Sequence, residues 1–320
     1  MKPRLIPLVI TLALAAFAAN AAADYPDKPI RLVVPFPPGG GADIAARAVG
    51  QQLQKSLGQP LIVDCRPGAD GQIASAEVAK AAPDGYTLLY GSASGQSYVP
   101  ATRKAPPYDP LRDFTPIASQ FVVKYVLYAH PGLPVNSMRE LIDYAHANPG
   151  KLSYGTGTST AFLTMNELLA STKTNMVHVP YKGEVSAQAD LLAGRIQLMF
   201  ATPSSFQAHA KAGSIRALAV SDTERGASDP DVPTFAELGI PPLRVRAWLG
   251  VVGPAGLPKD VVERLSRAFN EALEVPDVRA QLDKLGFKPA GSSPLEKGAL
   301  LKEQLDLMQR AVRDGHVASD

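Results

Sequence analysis

I-R-L-V-V-P-F-P-P-G-G-G-A-D, Ile30 to Asp43, is the stretch from which the fold is read. A short β-branched apolar run ends in prolines and three glycines, and a helical pattern begins directly behind them. That order is strand, tight loop, helix N-terminus. Phe36 closes the strand, Pro37 and Pro38 stiffen the loop, and Gly39, Gly40 and Gly41 let a ligand approach the backbone. The amides that follow are the unpaired donors of a helix start, where the helix dipole favours an anion. Two readings stand for this stretch, a plain βα connection and an anion-binding loop. Asp43, in the first helical turn, either complements the dipole or orients an amino or hydroxyl group of a ligand.

Outward from this loop the pattern repeats. Ile44, Ala48, Leu53 and Leu57 fall near helical spacing, and Gly58 closes the segment. Leu61 to Asp64 reads as a strand, R-P-G-A-D-G (Arg66 to Gly71) as a loop, Ile73 to Ala82 as a helix and Tyr86 to Gly91 as a third strand. Strands alternating with helices make a parallel sheet. Its third carboxyl end carries Ser92 and Ser94, at the same edge as the opening loop. Val122 to Ala129 reads as one strand leading out, and Ser137 with Glu140 forms a capping box for the next helix. A second βα series follows. Leu152 to Tyr154 runs through G-T-G-T-S-T (Gly155 to Thr160) into a helix, and Val177 to Pro180 runs through Tyr181, Lys182 and Gly183 into another. Ile196 to Phe200 and Ile215 to Val220 complete it, Asp222 to Leu243 is a proline-rich return, and amphipathic helices at 259–273, 276–285 and 294–313 clad a domain already begun. Two α/β units, each with a glycine and hydroxyl loop at its sheet edge, face each other across a ligand cleft. That is the geometry of a hinged receptor.

The N-terminus reads as a secretory signal peptide over residues 1–23: Lys2 and Arg4, an apolar run from Leu5 to Ala18, then A-N-A-A-A before Asp24. The run is too short to span a bilayer as a helix. Cleavage leaves thirty basic residues against thirty acidic ones, with no footprint for nucleic acid or an anionic membrane. Cys65 is the single cysteine, which excludes an internal disulfide.

Taken together, Y-P-D-K-P-I-R-L-V-V-P-F-P-P-G-G-G-A-D, R-P-G-A-D-G, A-P-D-G-Y-T-L-L, H-V-P-Y-K-G, D-L-L-A-G, D-V-P-T-F-A-E-L-G and G-P-A-G-L-P resemble the Bug family. These are the periplasmic solute receptors of tripartite tricarboxylate transporters. The resemblance spans essentially the whole chain. It implies a two-lobed Venus-flytrap fold without enzymatic activity or cofactor. Lobe 1 is then residues 24–124 plus 244–320, and lobe 2 is 125–243. The implied partners are a small organic carboxylate and the membrane permease, with the receptor a monomer in the periplasm. In the family the loops matching Phe36 to Asp43 and Gly155 to Thr160 hold a ligand carboxylate. That carries over to Phe36, Pro38, Gly39, Gly40, Gly41 and Asp43 on one side, and to Thr156, Thr158, Ser159 and Thr160 on the other, with Ser92, Ser94 and Tyr181 beside them. This chain departs from the family where members often carry a histidine (here Phe162) and an aspartate (here Ala201), and it has Cys65 for the common asparagine. The loss of the histidine and the aspartate predicts a ligand whose far end is less polar than a di- or tricarboxylic acid, aromatic or aliphatic.

Two other functions compete with transport. A receptor of this kind can also serve a sensor kinase. The run Gly157-Thr158-Ser159-Thr160-Ala161 nearly matches the nucleophile elbow of an exported serine hydrolase, but the last glycine is missing and the base would have to come from His178 or His209. The five histidines show no metal-ligand spacing, so no metal is expected.

Overall fold

The structure is a computed structural model that describes residues 25–181, 183–222, 224–225, 230–241, 245–314 and 317. The expected signal peptide, Lys182 and parts of the 222–243 return lie outside the described residues.

The β-branched run that opens the chain is strand β1 (Ile30–Val34), and all but one of its side chains are buried. It lies between β2 (Leu61–Cys65) and β3 (Thr87–Ser92), parallel to both. The sheet is completed by strands from much later in the chain. Strand β10 (Ala247–Pro254) runs antiparallel between β3 and β4 (Phe114–Val123), and β11 (Phe287–Pro289) adds to β4 at the edge. Helices α1 (Gly41–Leu57), α8 (Lys259–Glu274) and α9 (Pro276–Leu285) cover one face, burying Leu32, Val34, Leu53, Leu265 and Phe269 in one cluster. Each such side chain contributes roughly 1.5–3 kcal/mol through burial. Helix α10 (Pro294–Arg313) crosses the other face, where the Lys297 ammonium lies 3.2 Å over the Trp248 ring. Trp248 is therefore core.

The second sheet has the order β7 (Val177–Pro180), β6 (Ser153–Thr156), β8 (Leu198–Ala201), β5 (Val126–Ala129), β9 (Arg216–Val220). Helices α4 (Met138–Ala147) and α5 (Ser159–Thr172) pack on one face, α6 (Glu184–Leu192) and α7 (Pro203–Lys211) on the other. Ser137 caps α4, accepting from the Glu140 amide at 3.2 Å, but the expected capping box is only half formed, because the Glu140 carboxylate accepts from the Asn136 amide (2.7 Å).

The expected single strand from Val122 to Ala129 is in fact the passage between the sheets. Strand β4 ends at Val123 and β5 starts at Val126, because the two intervening residues bond to different bodies. The Lys124 amide donates to the Gly286 carbonyl (3.0 Å), and the Tyr125 amide donates to Ser221 Oγ (3.0 Å). The run is apolar apart from Lys124, and one lysine does not mark such a change of partner. β11 was also not expected; three residues are too few to show a period. The proline-rich return does not hang free where it is described: Phe235 is buried against Phe200 and Thr234 bridges to Val220.

Candidate functional site

Both sheets turn their carboxyl edges toward the same seam. On the first sheet the opening loop is tied down by Asp43. Its Oδ2 accepts from the Gly39 amide at 2.8 Å, and its Oδ1 accepts from Arg47 Nε at 2.8 Å and from Cys65 Sγ at 3.4 Å. Burial alone would raise this carboxyl, but the Gly39 and Arg47 bonds outweigh it and the group sits below its ordinary value. Asp43 is 4% exposed and both of its oxygens are bonded within its own lobe, so it positions the loop. Burial, reinforced by Asp43, pushes the Cys65 thiol up to about 11. Pro38, Gly39 and Gly40 are exposed, while Phe36 packs half-buried against the lobe core. Arg66 is a loop anchor, with Nε 3.2 Å from Asp64 Oδ2.

At the end of β3 the chain enters a wide π-helical turn, Ser94–Tyr98. Ser92 Oγ accepts from the Gly95 amide (3.3 Å), which holds the turn in place, and Ser94 projects from it. Beside the turn, Ala69 and Asp70 both take left-handed backbone angles, φ 46° and 55°. A non-glycine residue in this region costs about 1–2 kcal/mol. The strained loop delivers the Asp70 carboxylate to the seam.

On the second sheet the loop after β6 leads into α5, whose N-cap Thr158 accepts from the Ala161 amide at 3.2 Å. Gly157 is required by close approach: a Cβ there would lie 2.3 Å from the Glu184 amide nitrogen. The two edges meet. Ser94 Oγ and Thr160 Oγ1 are 2.9 Å apart, and Ser159 Oγ donates to Asp70 Oδ2 at 2.7 Å. Tyr98 faces the same Ser159 side chain, and the Tyr125 hydroxyl lies 3.3 Å from Thr158 Oγ1. Behind this loop, Thr156 Oγ1 is 2.7 Å from His178 Nε2. The His178 ring is sandwiched between Tyr154 (5.1 Å) and Phe162 (4.5 Å), and burial holds its pKa below the usual histidine range.

Not every residue expected in the site faces the seam. The Tyr181 ring lies against Gly155, and its hydroxyl donates to Asp190 Oδ2 at 2.8 Å along its own lobe. The Ala201 methyl is core, buried with Val126, Met199 and Phe206. Ala201 therefore lends no surface to the seam, while Phe162 packs on the His178 ring. The next residue, Thr202, and Ser205 surround the half-buried carboxylate of Glu184. Asp70, Tyr98, Tyr125, Glu184, Thr202 and Ser205 were missed by sequence reasoning. Asp70 stands in the quoted R-P-G-A-D-G motif and Glu184 directly after Y-K-G, but neither announces its partners.

A separate cavity of about 290 Å³ lies inside the first lobe, between Ser119, Trp248 and Ser292, away from the seam. Among the described residues no cluster of three or more His, Cys, Asp or Glu could hold a metal ion, and no helix is long and apolar enough to cross a membrane.

Known proteins share both sequence and fold with this chain. It is 35% identical to Protein BugT of Bordetella pertussis over 322 residues, covering 97% of each chain. The structure of R. palustris Rpa4515 with adipate superposes with a TM-score of 0.85 at 31% identity, covering 93% of this chain and 100% of that one. MatC from Rhodopseudomonas palustris, with bound malate, gives a TM-score of 0.78 at 30% identity, covering 90% and 100%. Residues 45–315 match the family described as Tripartite tricarboxylate transporter family receptor, and the chain belongs to that family of two-lobed periplasmic solute receptors.

Proposed function

We propose that this chain captures a small organic carboxylate in the seam between its two sheets and hands it to the integral-membrane permease of a tripartite tricarboxylate transporter. The observation that carries the reading is the hydroxyl pair Ser94–Thr160, which joins the two sheet edges directly. Beside that pair lies the N-terminus of α5, whose amides suit a carboxylate, while the exposed Gly39 and Gly40 amides of the opening loop are bonded to Asp43 and to the Pro37 carbonyl. The adipate and malate held by two relatives support the same ligand class. Lobe 1 comprises residues 24–124 plus 244–320 and lobe 2 residues 125–243, with Lys124 and Tyr125 as one hinge crossing. Ligand contacts to both lobes favour the closed form, which the permease then recognises.

The chain acts as a monomer in the periplasm after loss of residues 1–23, and it carries no catalytic role. Ser159, the elbow serine of the hydrolase reading, donates to Asp70, and His178 is bonded to Thr156.

The test is a thermal-shift and calorimetric panel of purified protein against aliphatic, amino, aromatic and tricarboxylic acids, since a ligand that binds only the folded form raises the melting temperature. A shift with one acid class that Ser94→Ala reduces supports the reading. Equal response of both proteins to every acid overturns it.

A further inference from the structure

The edge of the second sheet contains a carboxylate where an anion-binding edge would be expected to hold a vacancy. Glu184 is the first residue of α6, and its amide nitrogen packs against Gly157 in the hydroxyl loop. Its side chain reaches across to the start of α7. There Oε1 accepts from the Thr202 amide (2.8 Å), Thr202 Oγ1 (3.2 Å) and Ser205 Oγ (2.7 Å). One of them, the Thr202 amide, is a donor that a helix start offers to an anion, the other two are hydroxyls beside it, and the chain has filled all three with its own carboxylate. All three bonds converge on one oxygen, so Oε2 keeps its lone pairs. Among the described residues no lysine or arginine acts on the group, and burial holds it above its ordinary value against the Ser205 and Thr202 bonds. Tyr125, which approaches Thr158, is close enough to feel the Glu184 charge.

We propose that Glu184 is a specificity residue of this site, selecting a ligand that presents a carboxylate to the Ser94–Thr160 seam and an ammonium group to Glu184. The inference rests on the receptor reading above and deepens it. A second carboxylate at that end would meet a like charge and find the Thr202 and Ser205 donors already taken. An ammonium there supplies the donors and the positive charge that Oε2 lacks. The ligand class is therefore an aminocarboxylate in preference to a diacid of the same length.

The test measures binding of purified protein to matched pairs by calorimetry: succinate against 4-aminobutyrate, glutarate against 5-aminopentanoate, adipate against 6-aminohexanoate. Wild type is expected to prefer at least one aminocarboxylate over its diacid by tenfold or more. Glu184→Gln keeps the acceptor oxygen for Thr202 and Ser205 and removes the charge, so it should cut that ratio at least tenfold while retaining a cooperative melt. Ser94→Ala should weaken both members of a pair by the same factor. A role for Glu184 confined to capping α7 would lower stability and leave the ratio unmoved, which overturns the proposal. Diacid preference in wild type overturns it as well, with the receptor reading intact. Binding of neither class overturns the proposal together with the reading it rests on.

Discussion

Ser94 and Thr160, 66 positions apart and on different sheets, meet hydroxyl to hydroxyl at 2.9 Å, and both are 5% exposed. Each stands where a strand or its loop passes into a helical turn, so the contact joins the two carboxyl edges without any intervening core. Removing either hydroxyl leaves a buried partner unsatisfied, at about 1–3 kcal/mol. Ser94→Ala and Thr160→Ala should each weaken ligand binding roughly 5- to 100-fold by calorimetry. The double variant should lose less than the sum of the two.

Asp43 gives a prediction with a definite pH sign. Its carboxyl lies below the ordinary value of 3.8, so its contribution is present above 3.8 and is lost as pH falls through the lower folded-state value. Asp43→Asn should lower stability at pH 7 by roughly 1–3 kcal/mol through the loss of charge-assisted bonds to Gly39 and Arg47. In denaturant titrations the gap to wild type should close below pH 3.8. A gap independent of pH would mean that packing, not charge, holds the loop.

The Cys65 thiol, pushed from 9.0 up to about 11 by burial and by Asp43, is poor in thiolate at neutral pH. Alkylation of native protein by iodoacetamide at pH 7.5 should run about a hundredfold slower than that of a free cysteine. In guanidinium the rate should rise to that of an ordinary thiol. Fast native labelling would show that the Asp43 contact is absent in solution.

Gly286 ends α9 in the left-handed region (φ 77°), and a Cβ there would lie 2.3 Å from Pro203 Cδ on the other lobe. Gly286→Ala should cost about 1–2 kcal/mol of stability from the backbone alone. It should also weaken ligand binding, because the same methyl pushes the lobes apart at the start of α7. Small-angle scattering with saturating ligand should show a variant larger than wild type; identical profiles would confine the effect to the helix cap.

Much of the lobe architecture was legible locally. The β-branched run Ile30–Val34, the glycine stop at Gly58 and the Ser137 cap each act within a few residues, and the structure uses them as read. The passage between the sheets was not legible, because Val122 to Ala129 is apolar apart from Lys124 and its partners differ from one end to the other. The site was half legible. Glycine and hydroxyl loops mark where a backbone can be approached, but they do not say which side chain faces which.

The sequence by itself determined that two βα series carry small-residue loops at their strand ends, because strand and helix periodicity and glycine conformational freedom are properties of short stretches. Only the tertiary structure decided that Ser159 meets Asp70, that Tyr181 turns to Asp190 and that Glu184 fills the donors of α7. Those pairings join residues that chain spacing leaves independent. They were settled by how two separately packed sheets come together, a balance of burial and hydrogen-bond satisfaction that no local pattern encodes.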